Sequence, residues 1–127
     1  MNESLINVNS DFKRQGARKS ISYLDQAIKT NPEKTNLYFY RGLIYFYLHE
    51  FFEALLDFDY AVEKDDEPHT HYYFSRGICY ACLSMFPEAV KDLTAAVTLD
   101  EECLEGFFNR GKCAYLLGDT PLSFLDF

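Results

Sequence analysis

Four cysteines, three histidines and several paired carboxylates are the side chains of this 127-residue sequence best suited to chemistry. Cys79-Tyr80-Ala81-Cys82 has the C-x-x-C spacing of zinc and redox sites, and Cys103 and Cys113 follow it. A zinc site of that kind places its first pair in a tight turn and completes it with a second C-x-x-C or paired histidines. Here the pair falls inside a helical segment, and nine residues separate Cys103 from Cys113. Cys79 and Cys113 each stand two places after a glycine, so a small packing residue accounts for both, and no metal or cofactor is expected. His49, His69 and His71 read as turn and linker residues. Asp57 and Asp59, two apart, lie on different faces of a helix, while Glu53 and Asp57, four apart, read as a solvated face. No nucleophile, base and orienting group share a recognisable spacing. The expectation is a protein that is not an enzyme.

Arginines provide a different signal. Arg41, Arg76 and Arg110 each precede a glycine, and those glycines, Gly42, Gly77 and Gly111, are spaced by 35 and then 34 residues. Four residues before each glycine stands an aromatic: Tyr38, Tyr73 or Phe107. Tyr45 and Tyr80 follow three residues after the first two glycines, and the third copy has Ala114 beside Tyr115. Ala54, Ala89 and Ser123 come twelve after, Phe58, Leu93 and Phe127 sixteen after, and Ala61 and Ala96 nineteen after. Such recurrence of period and residue type marks a repeat architecture. Small residues at Gly42 and Ala54 let two helices of one unit approach closely, and Tyr38, Tyr45 and Phe58 fill the space around the contact. The arginines either form a ladder of cations for partner carboxylates or pair with acidic neighbours between units; the second reading is favoured.

The pattern resembles the tetratricopeptide repeat, a pair of antiparallel helices of about 34 residues. The resemblance implies an all-α, right-handed α-solenoid of stacked helix pairs forming a single domain, 1–127. Its units are a degenerate repeat at 1–34, full repeats at 35–69 and 70–103, and a truncated repeat at 104–127. One period before Gly42 the chain has Val8, with Ser4 and Asp11 also off pattern, whereas Ser20, Leu24, Ala27 and Pro32 fit the second half of a unit. Helices are expected over 2–13, 18–30, 35–48, 51–64, 70–83, 87–98, 103–117 and 120–127. Asn31-Pro32 and Glu67-Pro68 favour breaks, and Pro87 and Pro121 suit first turns. Solenoids normally end on a polar helix, and the apolar segment 121–127 points instead to a fragment of a longer protein, or to an end covered by another chain.

Composition narrows the partners. The sequence is 48% apolar and 17% aromatic, with twelve Phe, ten Tyr and no Trp, which argues for a folded core. Net charge is −8 and uneven: residues 1–34 carry six Lys/Arg against four Asp/Glu, and residues 35–127 carry six against sixteen. That field repels phosphate backbones and anionic headgroups, so neither nucleic acid nor a membrane surface is expected. No apolar run approaches the roughly 20 residues of a membrane span, the first residues lack a secretory pattern, and the cysteines suit a reducing, intracellular (cytoplasmic) setting.

The family resemblance implies that first helices line a concave groove. Positions left free by the core pattern fall three and two before each glycine and one, four and five after it. They are Phe39, Tyr40, Leu43, Phe46 and Tyr47; Phe74, Ser75, Ile78, Ala81 and Cys82; and Phe108, Asn109, Lys112, Tyr115 and Leu116. From these the expected peptide-binding groove comprises Phe39, Tyr40, Leu43, Phe46, Tyr47, Phe74, Ile78, Phe108, Asn109 and Lys112. Its occupant is expected to be an apolar or amphipathic protein segment, with basic character suited to the acidic chain. The alternative is self-assembly, in which the groove or the C-terminal end is buried against another copy. Some family members grip the acidic tail of heat-shock chaperones through Lys, Asn and Arg. Those positions fall here on Leu5, Asn9, Tyr40, His71 and Ser75, of which only Asn9 matches.

Overall fold

The computed structural model describes residues 2–117, with side chains from Ser10 to Leu116. Six helices follow in order: α1 Asn2–Thr30, α2 Thr35–Tyr47, α3 Phe51–Lys64, α4 Thr70–Cys82, α5 Phe86–Leu99 and α6 Leu104–Leu117. Each packs on the next, and along one side α4 also touches both α2 and α6. The result is an all-α helical solenoid. The helix expected at 120–127 and the apolar segment 121–127 lie outside the described residues.

Five expected helices appear within a residue of their predicted bounds, but the first two do not. In place of separate helices at 2–13 and 18–30 there is one continuous helix, α1. The stretch between them, Arg14-Gln15-Gly16-Ala17, has no proline and only one glycine, so little disfavours helix there. Ser20 Oγ donates to the Gly16 carbonyl at 3.1 Å, and a Cβ at Gly16 would meet nothing within 4 Å. Among the described residues no packed side chain there demands a bend.

The turns inside the second and third units have the same construction. Leu48 and Leu83 close α2 and α4, and His49 and Ser84 follow with φ of 60° and 58°. Glu50 N–H then donates to Tyr45 O and Met85 N–H to Tyr80 O, both at 2.9 Å. This is the Schellman arrangement, which returns the chain into α3 and α5 while satisfying carbonyls at the helix end.

Close approach at two glycines sets the pairing within units. A Cβ at Gly42 would lie 2.7 Å from Phe58 Cε1, and one at Gly77 would lie 2.9 Å from Leu93 Cγ. Phe58, Leu93, Ala54, Ala61, Ala89 and Ala96 are buried, as the repeat pattern requires. Arginines tie the units together. Arg41 donates to both carboxylate oxygens of Asp57 (2.9 and 2.7 Å) on the helix ahead, and to Asp25 (2.9 Å) on the helix behind. Arg76 repeats the scheme with Asp92 (2.7 and 2.8 Å) and Asp59 (3.2 Å). Asp57 and Asp59, on different faces of α3, thus serve successive arginines. Removal from water pushes the Asp57 carboxyl above its ordinary range even though Arg41 pulls the other way. Such a pair fixes position more than it adds net stability.

Candidate partner-binding groove

The first helices of the second and third units, α2 and α4, lie side by side and enclose an apolar pocket of about 180 Å³. Leu43 and Phe46 come from α2, Phe74, Ser75 and Ile78 from α4, and Phe58 reaches up from α3 beneath them. Helical spacing explains the grouping. Leu43 and Phe46 are three apart, as are Ser75 and Ile78, so each pair projects from one face of its helix. Ser75 carries the single polar side-chain group among the six, so the wall offers area and shape rather than charge.

The expected groove residues divide. Leu43, Phe46, Phe74 and Ile78 meet in this pocket. Tyr40 and Tyr47 are 48% and 55% exposed on α2 without lining it. Phe108 and Lys112 are exposed on α6, and Asn109 turns its amide back to the Glu105 carbonyl at 2.7 Å. Phe39 is a correction: it is buried at 7% exposure, with its ring 5.7 Å from Phe58 and 4.7 Å from Tyr72. Tyr72 enters from the following unit, so Phe39 belongs to the core between units. Sequence reasoning missed Phe58 as part of the pocket because its place in the repeat marks it as core. It is core, and its ring also closes the pocket from below.

The chemical side chains of the sequence stay apart. Cys79 is fully buried, its Sγ 3.3 Å from the Phe51 carbonyl, and burial pushes its thiol up to about 12. Cys113 is buried and Cys82 exposed, with both thiols raised, first by desolvation. Among the described residues no three His, Cys, Asp or Glu side chains gather as a metal site would require. No helix among them is long and apolar enough to cross a membrane.

Two antiparallel helix pairs, α2–α3 and α4–α5, followed by α6 in register, define a helical-repeat solenoid. Known structures of that class are similar to it. MamA matches with a TM-score of 0.79 and 15% identity, over 84% of this chain and 61% of that one. YrrB, a TPR protein with an unusual peptide-binding site, matches at 0.81 and 20%, over 94% of this chain and 60% of that one. The first TPR of Spaghetti (RPAP3), bound to the HSP90 peptide SRMEEVD, matches at 0.78 and 25%, over 87% and 86%. The fold is therefore that of the tetratricopeptide-repeat proteins, and this chain spans about three fifths of the length of MamA and YrrB. No protein-family model matches the sequence, and no curated protein does.

Proposed function

We propose that this chain is a protein-interaction module that holds an apolar or amphipathic segment of a partner against α2 and α4. The observation that carries this reading is the pocket formed by Leu43, Phe46, Phe74 and Ile78 over Phe58. Apolar side chains lining a concavity between two helices favour an occupant with apolar anchors, such as one face of a helix. Exposed Tyr40 and Tyr47 extend the apolar surface along α2. A net charge of −8 favours cations on the occupant's other face.

YrrB and the RPAP3 domain are precedents for peptide binding on this fold. The acidic peptide of the second is a poor fit here. Tyr40, His71 and Ser75 stand at three of the positions where chaperone-tail receptors place clamp residues, and the chain itself is acidic.

The test is fluorescence anisotropy with two labelled peptides: a designed amphipathic helix of leucines and lysines, and SRMEEVD. The expected result is saturable binding of the first, lost when Tyr40 and Leu43 are both replaced by Asp with helix content preserved. Equal affinity for the variant, or preference for the acidic peptide, refutes the reading.

A further inference from the structure

The lining of the pocket between α2 and α4 belongs to one seam of the repeat and not to the next. One repeat further on, Leu43 corresponds to Ile78 and Phe74 to Phe108, but Phe46 corresponds to Ala81, Phe58 to Leu93 and Ile78 to Lys112. Two of the three rings that line the pocket, Phe46 and Phe58, are therefore lost at the seam of α4 with α6, and a cation enters. Ser75 marks the same seam from the other helix. Tyr40 holds its place in the second unit and Asn109 in the fourth, so the smallest of the three stands where the pocket lies. The volume, about 180 Å³, slightly exceeds the roughly 150 Å³ in which a lining of Leu, Ile and Phe holds one benzene molecule.

We infer, taking this groove as the binding surface, that the partner helix is held by a single phenylalanine and that Ser75 sets the preference for it. The phenyl ring enters between Leu43 on α2 and Ile78 on α4 and meets the rings of Phe46, Phe58 and Phe74. Aromatic pairs of that kind add to the area they bury, which an aliphatic side chain of similar size does not gain. Ser75 leaves room for the ring, whereas a tyrosine there, as at position 40, would bring a ring from the chain itself. With Ala81, Leu93 and Lys112 replacing the walls one repeat on, the occupant is read at one residue and not at a ladder of them. Lysines on its far side suit the net charge of −8.

The test titrates the whole chain with helical peptides of alanine and lysine that carry one guest residue on the alanine face. Leu43 and Ile78 methyl resonances are followed by NMR, with the leucine–lysine helix described above as reference. A Phe guest is expected to bind about ten- to a hundredfold more tightly than Ala, and several-fold more tightly than Leu. Ser75→Ala should keep that order. Ser75→Tyr should weaken the Phe peptide by about tenfold or more, with helix content by circular dichroism unchanged. If Leu equals or exceeds Phe, or if Ser75→Tyr binds the Phe peptide as the wild type does, the single-phenylalanine anchor is overturned even where the reference helix still binds. If the reference helix also fails to bind, the reading of the groove itself falls with it.

Discussion

Adding one methyl group at each of three helical glycines should produce different outcomes in sign and size. Replacing glycine by alanine inside a helix favours the folded state by about 1 kcal/mol through backbone entropy. At Gly42 the new Cβ would lie 2.7 and 2.9 Å from Phe58 Cε1 and Cδ1, and 3.1 Å from Asp57 Cβ. The Phe58 ring cannot easily retreat, being fully buried with the Phe39 ring 5.7 Å from it. Overpacking of this kind costs about 1–3 kcal/mol. Because the ring cannot yield, the upper part of that range, about 2–3 kcal/mol, applies, and Gly42→Ala is expected to lose about 1–2 kcal/mol net, or about 4–8 °C in melting temperature. At Gly77 the opposing group is the branched aliphatic Leu93, with Cγ at 2.9 Å and Cδ2 at 3.1 Å, so the loss should be smaller. At Gly16 nothing lies within 4 Å, so alanine should stabilise α1, by at most about 1 kcal/mol. Urea titrations with unchanged slope would measure all three. If Gly42→Ala unfolds at or above the wild-type urea concentration, the close-approach argument is wrong.

The intra-unit turns offer a converse case: Ser84→Gly should stabilise by about 1 kcal/mol, because φ of 58° strains a residue with a Cβ, and thermal melting would register it. Arg76→Met should cost about 3–5 kcal/mol by leaving Asp92 buried without its bidentate partner, while Arg76→Met with Asp92→Leu should recover most of that in the same urea assay. Asp65 is held below the ordinary carboxylate value of 3.8, first by the hydrogen bond from Thr35 Oγ1 at 2.5 Å. A depressed carboxylate contributes stability present above its unfolded value and lost as pH falls through the folded one. The contribution should therefore disappear below about pH 4, and Thr35→Val should flatten that limb of a pH titration of stability. Alkylation by iodoacetamide at pH 8, followed by mass spectrometry, should reach exposed Cys82 before buried Cys79, whose thiol is pushed up to about 12. Equal rates would count against the burial of Cys79.

The parts of this fold legible in the sequence are those fixed by steric demand that recurs with the repeat. Gly42, Gly77, Phe58 and Leu93 are tied to one another by helix approach, so their spacing alone announces the architecture. Phe39 is not legible as core because it shares one face of α2 with Leu43 and Phe46, which line the pocket. Tyr72, whose ring packs on Phe39, lies 33 residues away. The continuity of α1 is not legible because a break needs a positive signal, and Gly16 resembles one until it is seen that, among the described residues, nothing lies within 4 Å of a Cβ there. His49 and Ser84 gave no hint of left-handed backbone, since that conformation is imposed by the helices on either side rather than by the residues themselves. The pocket was half legible: helical spacing selected its walls, while its floor was assigned wholly to the interior.

Arg41 and Arg76 are bonded both forward and backward along the chain, and this gives the stack a grammar. Asp57 and Asp92 complete the bond within a unit, so they travel with it when the unit moves. Asp59 completes the bond across a seam, and the same place in the next unit holds Thr94. The units are therefore not interchangeable bricks. A permuted chain with the third unit ahead of the second would keep every residue and every internal contact. It would nonetheless bring Thr94, in place of an aspartate, to the arginine that follows. Word order, and not vocabulary alone, is written into the carboxylates of α3.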